Sequence, residues 1–161
     1  MLNKKKVALL GAMAAAAMAS TGAQAATQTA NAEVDIIAAV QLTQNDFLDF
    51  GIIASGAVGG TVTLPAATGT INCGGLVCVG TATRGRFTVN ATAGQNIAVT
   101  LPSTVTLTSG GNSMVVSLSP VPIIAMTTAS QQFFIGGSLV VSAGQPAGAY
   151  SATYPVTAEY Q

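Results

Sequence analysis

Hydrophobic and polar positions alternate through most of this chain. Val34, Ile36, Ala38, Val40 and Leu42 are apolar at every second position, with Asp35 and Gln41 on the other parity and Ile37 and Ala39 weakening the contrast. Side chains of a strand point to alternate faces, so residues 33–42 read as a strand with one apolar face. Asn45-Asp46 reads as a turn, and residues 47–53 as a short apolar strand containing Leu48-Asp49-Phe50-Gly51. Thr61 to Leu64 alternates until Pro65 stops it, and Phe87, Val89 and Ala91 oppose Thr88 and Asn90. Ile97, Val99 and Leu101 continue the pattern after the turn at residues 93–96. Val105 and Leu107 follow, then the turn Ser109-Gly110-Gly111-Asn112, then Met114, Val116 and Leu118.

Further on, Pro120 and Pro122 argue against a central strand, and residues 120–132 fit a short helical turn or a crossover loop equally well. Residues 133–135 and 139–141 flank Gly136-Gly137 and read as a hairpin. The strongest alternation comes last, where Tyr150, Ala152, Tyr154, Val156, Ala158 and Tyr160 oppose Ser151, Thr153, Pro155, Thr157 and Glu159. Short strands with turn signals at roughly 8–12-residue spacing predict an all-β protein, an antiparallel sandwich or barrel.

The start of the chain breaks this pattern. Lys4-Lys5-Lys6 precedes an apolar run over residues 7–19, and Ala23-Gln24-Ala25 has small residues at the positions a signal peptidase reads. The apolar run falls short of the ~20 residues of a spanning helix, so an exported protein cut between Ala25 and Ala26 is expected. The expected organisation is a leader over 1–25, an extension with the first strand over 26–44, and a sandwich domain over 45–161.

Export changes the charge. The whole chain is neutral, but without its leader it keeps Arg84 and Arg86 against Glu33, Asp35, Asp46, Asp49 and Glu159, a net of −3. No Lys and no His remain, so no basic patch is left for nucleic acid or an acidic membrane. So low a charge density limits solubility as a free monomer, and suits a protein that lives inside an assembly.

Candidate chemistry is sparse. A Ser or Thr nucleophile needs a base, and the mature chain has neither His nor Lys. Paired carboxylates can run a glycosidase, but there is no Trp and little polar hardware beyond hydroxyls. Asp46 reads as a turn residue and Asp49 as a local acceptor for backbone donors. Cys73 and Cys78 are compatible with a metal half-site, a redox pair or a disulfide. Zinc would need two more N or S ligands, and the redox motif has two intervening residues rather than four. In an exported chain the pair most simply closes a loop as a disulfide, a staple across one hairpin worth roughly 2 kcal/mol by loop entropy. Arg84 and Arg86 share a strand parity and read as salt-bridge partners or solvated cations. No catalytic residue, cofactor or metal is expected.

Leu48-Asp49-Phe50-Gly51, Gly60-Thr61-Val62-Thr63-Leu64 and the closing Gly148-Ala149-Tyr150, Tyr154-Pro155-Val156-Thr157 and Tyr160 together resemble the bacterial family designated domain of unknown function 4402. The layout is also similar to the spore-coat-U type subunits of archaic chaperone–usher pili, although those carry a Cys near the first strand and this chain carries both mid-chain. The pilin resemblance implies an immunoglobulin-like sandwich whose groove is filled by a strand from a neighbouring subunit. On it, Val34, Ile36, Ala38, Val40 and Leu42 are candidate donor knobs, and Tyr150, Ala152, Tyr154, Val156, Ala158 and Tyr160 a candidate acceptor edge. A periplasmic chaperone, an outer-membrane usher and further copies of the chain are the implied partners, at the cell surface or in a fimbrium.

Three functions follow in order: a filament subunit built by strand donation, a secreted sandwich that folds alone and binds a ligand or surface, and a small outer-membrane barrel. Residues 33–42 have two fates open to them, donation or service as the first strand of a complete sandwich.

Overall fold

A computed structural model describes residues 24–161. The expected leader, apart from its last two residues, lies outside the described residues. The chain divides into two units, the first ending at Asp35 and the second covering Ile36–Gln161. In the first, residues 24–35 form no helix or strand and are exposed throughout.

The second unit is a β-sandwich of twelve strands: β1 (Gln41–Asp46), β2 (Ile52–Ala54), β3 (Gly60–Leu64), β4 (Val77–Val79), β5 (Gly85–Asn90), β6 (Asn96–Thr100), β7 (Thr104–Ser109), β8 (Asn112–Leu118), β9 (Ile124–Ala125), β10 (Ser130–Ile135), β11 (Gly137–Val141) and β12 (Thr157–Tyr160). One layer is the sheet β3-β11-β8-β7. The other comes from two sheets, β1-β5-β10 and β12-β6-β9, whose middle strands follow one another in the chain. Across the break at residues 91–95, Ala91 N–H still donates to Ala129 O and Gly94 N–H to Met126 O, so β5–β6 and β9–β10 run as one bent antiparallel pair. A β2–β4 ribbon completes the set, all pairings are antiparallel, and no sheet closes into a barrel.

Alternation explains the core. Phe87 and Val89 of β5 and Phe133 and Ile135 of β10 are buried, and the rings of Phe87 and Phe133, directly opposite in the ladder, stack with centroids 5.4 Å apart. Val62 and Leu64 of β3, Val116 and Leu118 of β8 and Leu139 and Val141 of β11 face them from the other layer. The turn at residues 109–112 forms as expected: Ser109 pairs with Asn112, and Gly110 and Gly111 supply the two positive φ values (53° and 87°) of a two-residue hairpin loop.

Several expectations are corrected. The first strand begins at Gln41 rather than near residue 33 and runs through Asp46; Asn45 is the extra residue of a bulge, not a turn, because Gln44 pairs with Phe87 and Asp46 with Arg86. Residues 47–51 pair only at Asp49, which bridges Thr83, so the expected strand over 47–53 shrinks to Ile52–Ala54. Residues 133–141 are not a hairpin: β10 pairs with β5 and β11 with β3 and β8, so the chain changes layers at Gly136. A Cβ there would strike the backbone of Leu64, Pro65 and Ala66, and only glycine fits the crossing. Of the two readings open for residues 120–132 the helical turn does not form: residues 119–123 cross from β8 in one layer to the other, and the short β9 and the start of β10 follow. Finally, the alternating stretch 150–160 is a ladder-paired strand only over Thr157–Tyr160.

Candidate functional site

The sandwich is open along the side where β7 ends one layer and β1 ends the other. Between them lies a cavity of about 1210 Å3. Its floor is apolar: Leu42, Phe87, Val105, Leu107, Met114, Val116, Leu118, Leu139 and Val141, drawn from β1, β5, β7, β8 and β11. Its rims are residues 47–55 on one side and 145–156 on the other.

Each rim is short of partners over part of its length. Along the first, Asp49 exchanges backbone bonds with Thr83, and its carboxylate accepts from Gly51 N–H at 2.8 Å in the turn that Gly51 completes with φ 72°. The family-like motif is therefore a turn that ends the first strand and sends Phe50 into the core. Phe47 stays 77% exposed at the rim. Along the second, Ser151 exchanges two bonds with Thr108 of β7, and residues 152–156 belong to no ladder. Tyr150, Tyr154 and Val156 line the cavity, whereas Ala158 and Tyr160 lie in β12 and pair with Val99 and Ile97 of β6. The buried Gln145 fixes one end of this rim, donating to Tyr150 Oη at 2.9 Å and to Ser113 O, while Tyr150 Oη donates to Pro146 O. Tyr154's hydroxyl is buried without a hydrogen-bond partner among the described residues, and burial raises its pKa above the ordinary 10.0.

The five candidate knobs separate. Val34 is 82% and Ile36 91% exposed, Ala38 is exposed, and none of the three is in a strand. Val40 and Leu42 pack against their own core, Leu42 from within β1. What remains free runs back on the same parity through Ala32 and Ala30, with Asn31, Glu33 and Asp35 on the other.

Ala38 marks the root of this arm. Its N–H donates to Thr92 Oγ1 at 2.9 Å, Thr92 N–H donates to Tyr160 Oη at 2.8 Å, and Tyr160 Oη donates back to Ala38 O at 2.6 Å. The three bonds close a ring at the break in the β5–β6 line.

The other candidates have structural roles. Cys73 and Cys78 form a disulfide. It spans the turn Gly74-Gly75 between Asn72, which bridges Thr63, and β4, which pairs with β2; it therefore joins segments with different partners rather than two strands of one hairpin. Arg86 pairs with Asp46 at 2.5 Å, both side chains about two-fifths exposed. Arg84, ahead of β5, donates to Ala66 O and Ala67 O and lies 3.8 Å over the Phe134 ring. Among the described residues no three His, Cys, Asp or Glu side chains gather as a metal site would require.

An open antiparallel sandwich with an apolar cleft along one side is the class of protein these observations define. The chain belongs to the family described as Domain of unknown function (DUF4402), whose profile matches residues 40–160. The match begins at Val40, two residues beyond the root of the arm. No curated protein matches the chain.

Proposed function

We propose that this protein is an exported structural subunit that polymerises by strand donation, its exposed arm filling the cleft of the next copy. One observation carries the reading. Among the described residues, the arm and the cleft rim 152–156 alternate in sequence yet lack a ladder partner, and each supplies what the other lacks. Adding a strand to the rim would satisfy its backbone groups, while Ala30, Ala32, Val34 and Ile36 reach the apolar floor from one face. Asn31, Glu33 and Asp35 would stay towards water on the other. A periplasmic chaperone and an outer-membrane usher fit this reading, because an unfilled apolar cleft has to be covered before assembly.

The test compares the full chain with its Val34→Asp and Ile36→Asp double variant, by size-exclusion chromatography and electron microscopy. Wild-type protein is expected to give filaments and the variant short or monomeric species, and a peptide of residues 28–37 should cap wild-type growth. A wild-type chain that stays a folded monomer at every concentration, its cleft instead taking up an apolar small molecule, overturns the proposal.

A further inference from the structure

An arm tethered to a domain that carries a matching cleft has an obvious competitor for any second copy: itself. Its effective concentration towards its own domain would be on the order of millimolar wherever the tether allowed the fold-back. Intermolecular donation therefore needs a tether that forbids it. We propose that Tyr160, acting through Ala38 and Thr92, is the positioning residue that bars the arm from its own domain and commits it to a neighbour; the inference rests on the strand-donation reading above.

Two routes home are closed, and each closure involves the ring at Ala38. The first route is straight backwards along the sheet. β1 and β12 both run antiparallel to the β5–β6 line on the same side of it: Gln41 stands opposite Asn90, and Tyr160 opposite Ile97. Continued backwards in the β1 register, the arm would bring Val34 opposite Ile97. Tyr160 already holds that place, and Gln161 N–H donates to Asn96 O beside it. The C-terminal strand has taken the row that the arm's alternation would otherwise fill. This is the physical reason that a strand-like sequence here forms no strand.

The second route is a tight turn back alongside β1 into the cleft. A hairpin needs residues that tolerate positive φ, usually Gly, Asn or Asp. Ile37-Ala38-Ala39-Val40-Gln41 contains none of them. Both backbone groups of Ala38, the N–H and the C=O, are moreover held by side chains from elsewhere in the domain. Turning the chain there means breaking both bonds. Thr92 can reach Ala38 only because it lies in the break between β5 and β6, where the central line has no strand partner on that side.

The experiment uses the full chain with Tyr160→Phe, and separately Thr92→Val and Thr92→Ser, at matched concentration. The readouts are the polymer fraction and the capture of a labelled peptide of residues 28–37. Phe keeps the ring and removes only the hydroxyl; Ser keeps the Thr92 hydroxyl that Val deletes. Tyr160→Phe and Thr92→Val are expected to lower the polymer fraction at least about threefold in favour of self-closed monomers, Thr92→Ser to behave as wild type, and all folded variants to bind the peptide once the arm is competed out. Should Tyr160→Phe fail to fold, the Val and Ser pair at Thr92 carries the comparison alone. Unchanged polymer fractions with peptide capture intact overturn the positioning role and leave strand donation standing. Peptide capture by neither wild type nor variants overturns strand donation itself, and this inference with it.

Discussion

The hydroxyl of Tyr160 donates to the carbonyl of Ala38 at 2.6 Å, across 122 residues of sequence. The same oxygen accepts from Thr92 N–H, so one phenol ties the last strand, the break in the central strand line and the root of the N-terminal arm together. Its loss removes two bonds and leaves a donor and an acceptor seeking water. Tyr160→Phe is expected to cost about 1–2 kcal/mol in a denaturant titration, with an unchanged slope against denaturant concentration.

The two arginines should differ in worth. Arg86 and Asp46 form a part-exposed pair, and such pairs contribute about 0–1 kcal/mol. Arg84 binds two backbone carbonyls of the loop after β3 and covers the Phe134 ring. Arg84→Ala should therefore shift the urea midpoint clearly more than Arg86→Ala, and raising the salt concentration should narrow neither the loss at Arg84 nor its rank.

Reduction of Cys73–Cys78, or the double Cys→Ser variant, should destabilise the fold by about 2 kcal/mol, as expected for so short a closed loop. The arm and the cleft are built by other residues, so assembly of the protein that remains folded should persist. Loss of assembly at full folding would show that the β2–β4 ribbon takes part in subunit contacts.

Tyr154 gives a pH signature. Burial holds its phenol protonated above the ordinary 10.0, while the unfolded chain releases that proton near its ordinary value. The unfolded state then binds fewer protons than the folded one, so the stability contribution is complete below pH 10 and falls as the pH climbs past it. In Tyr154→Phe that alkaline loss should shrink. Because the hydroxyl has no partner, the same variant should be neutral or up to about 1 kcal/mol more stable at pH 7.

Gly136→Ala tests the layer change between β10 and β11. The added methyl has backbone atoms of Leu64, Pro65 and Ala66 in its way, none of which can swing aside as a side chain end could. A loss above about 2 kcal/mol, or failure to accumulate folded protein, is expected from thermal melts.

Alternation made the fold class and most of the core legible: Phe87 and Val89, Val62 and Leu64, Val116 and Leu118 all turned inward on the parity the sequence sets. Pairing was not legible in the same way. Gly136-Gly137 between two apolar runs looks like a hairpin turn whether the second run folds back or crosses to the other layer, and only long-range contacts with Leu64 and Val116 decide it. Residues 33–40 and 152–156 show the same gap from the other side. Period two says which faces are apolar, but a ladder also needs a neighbouring backbone, and among the described residues the neighbours of both stretches are absent or taken. Thr92 and the Tyr160 hydroxyl left no local signal at all, since their roles exist only where β1, β6 and β12 meet.

Hydrogen–deuterium exchange on the full chain, as monomer and as assembled material, tests strand donation most directly. If the arm is donated, the amides of residues 28–36 and of residues 152–154 and 156 exchange freely in the monomer, and both sets become protected together on assembly, by about a hundredfold or more. Assembled protein in which either stretch still exchanges freely, or a monomer in which both are already protected, would contradict it.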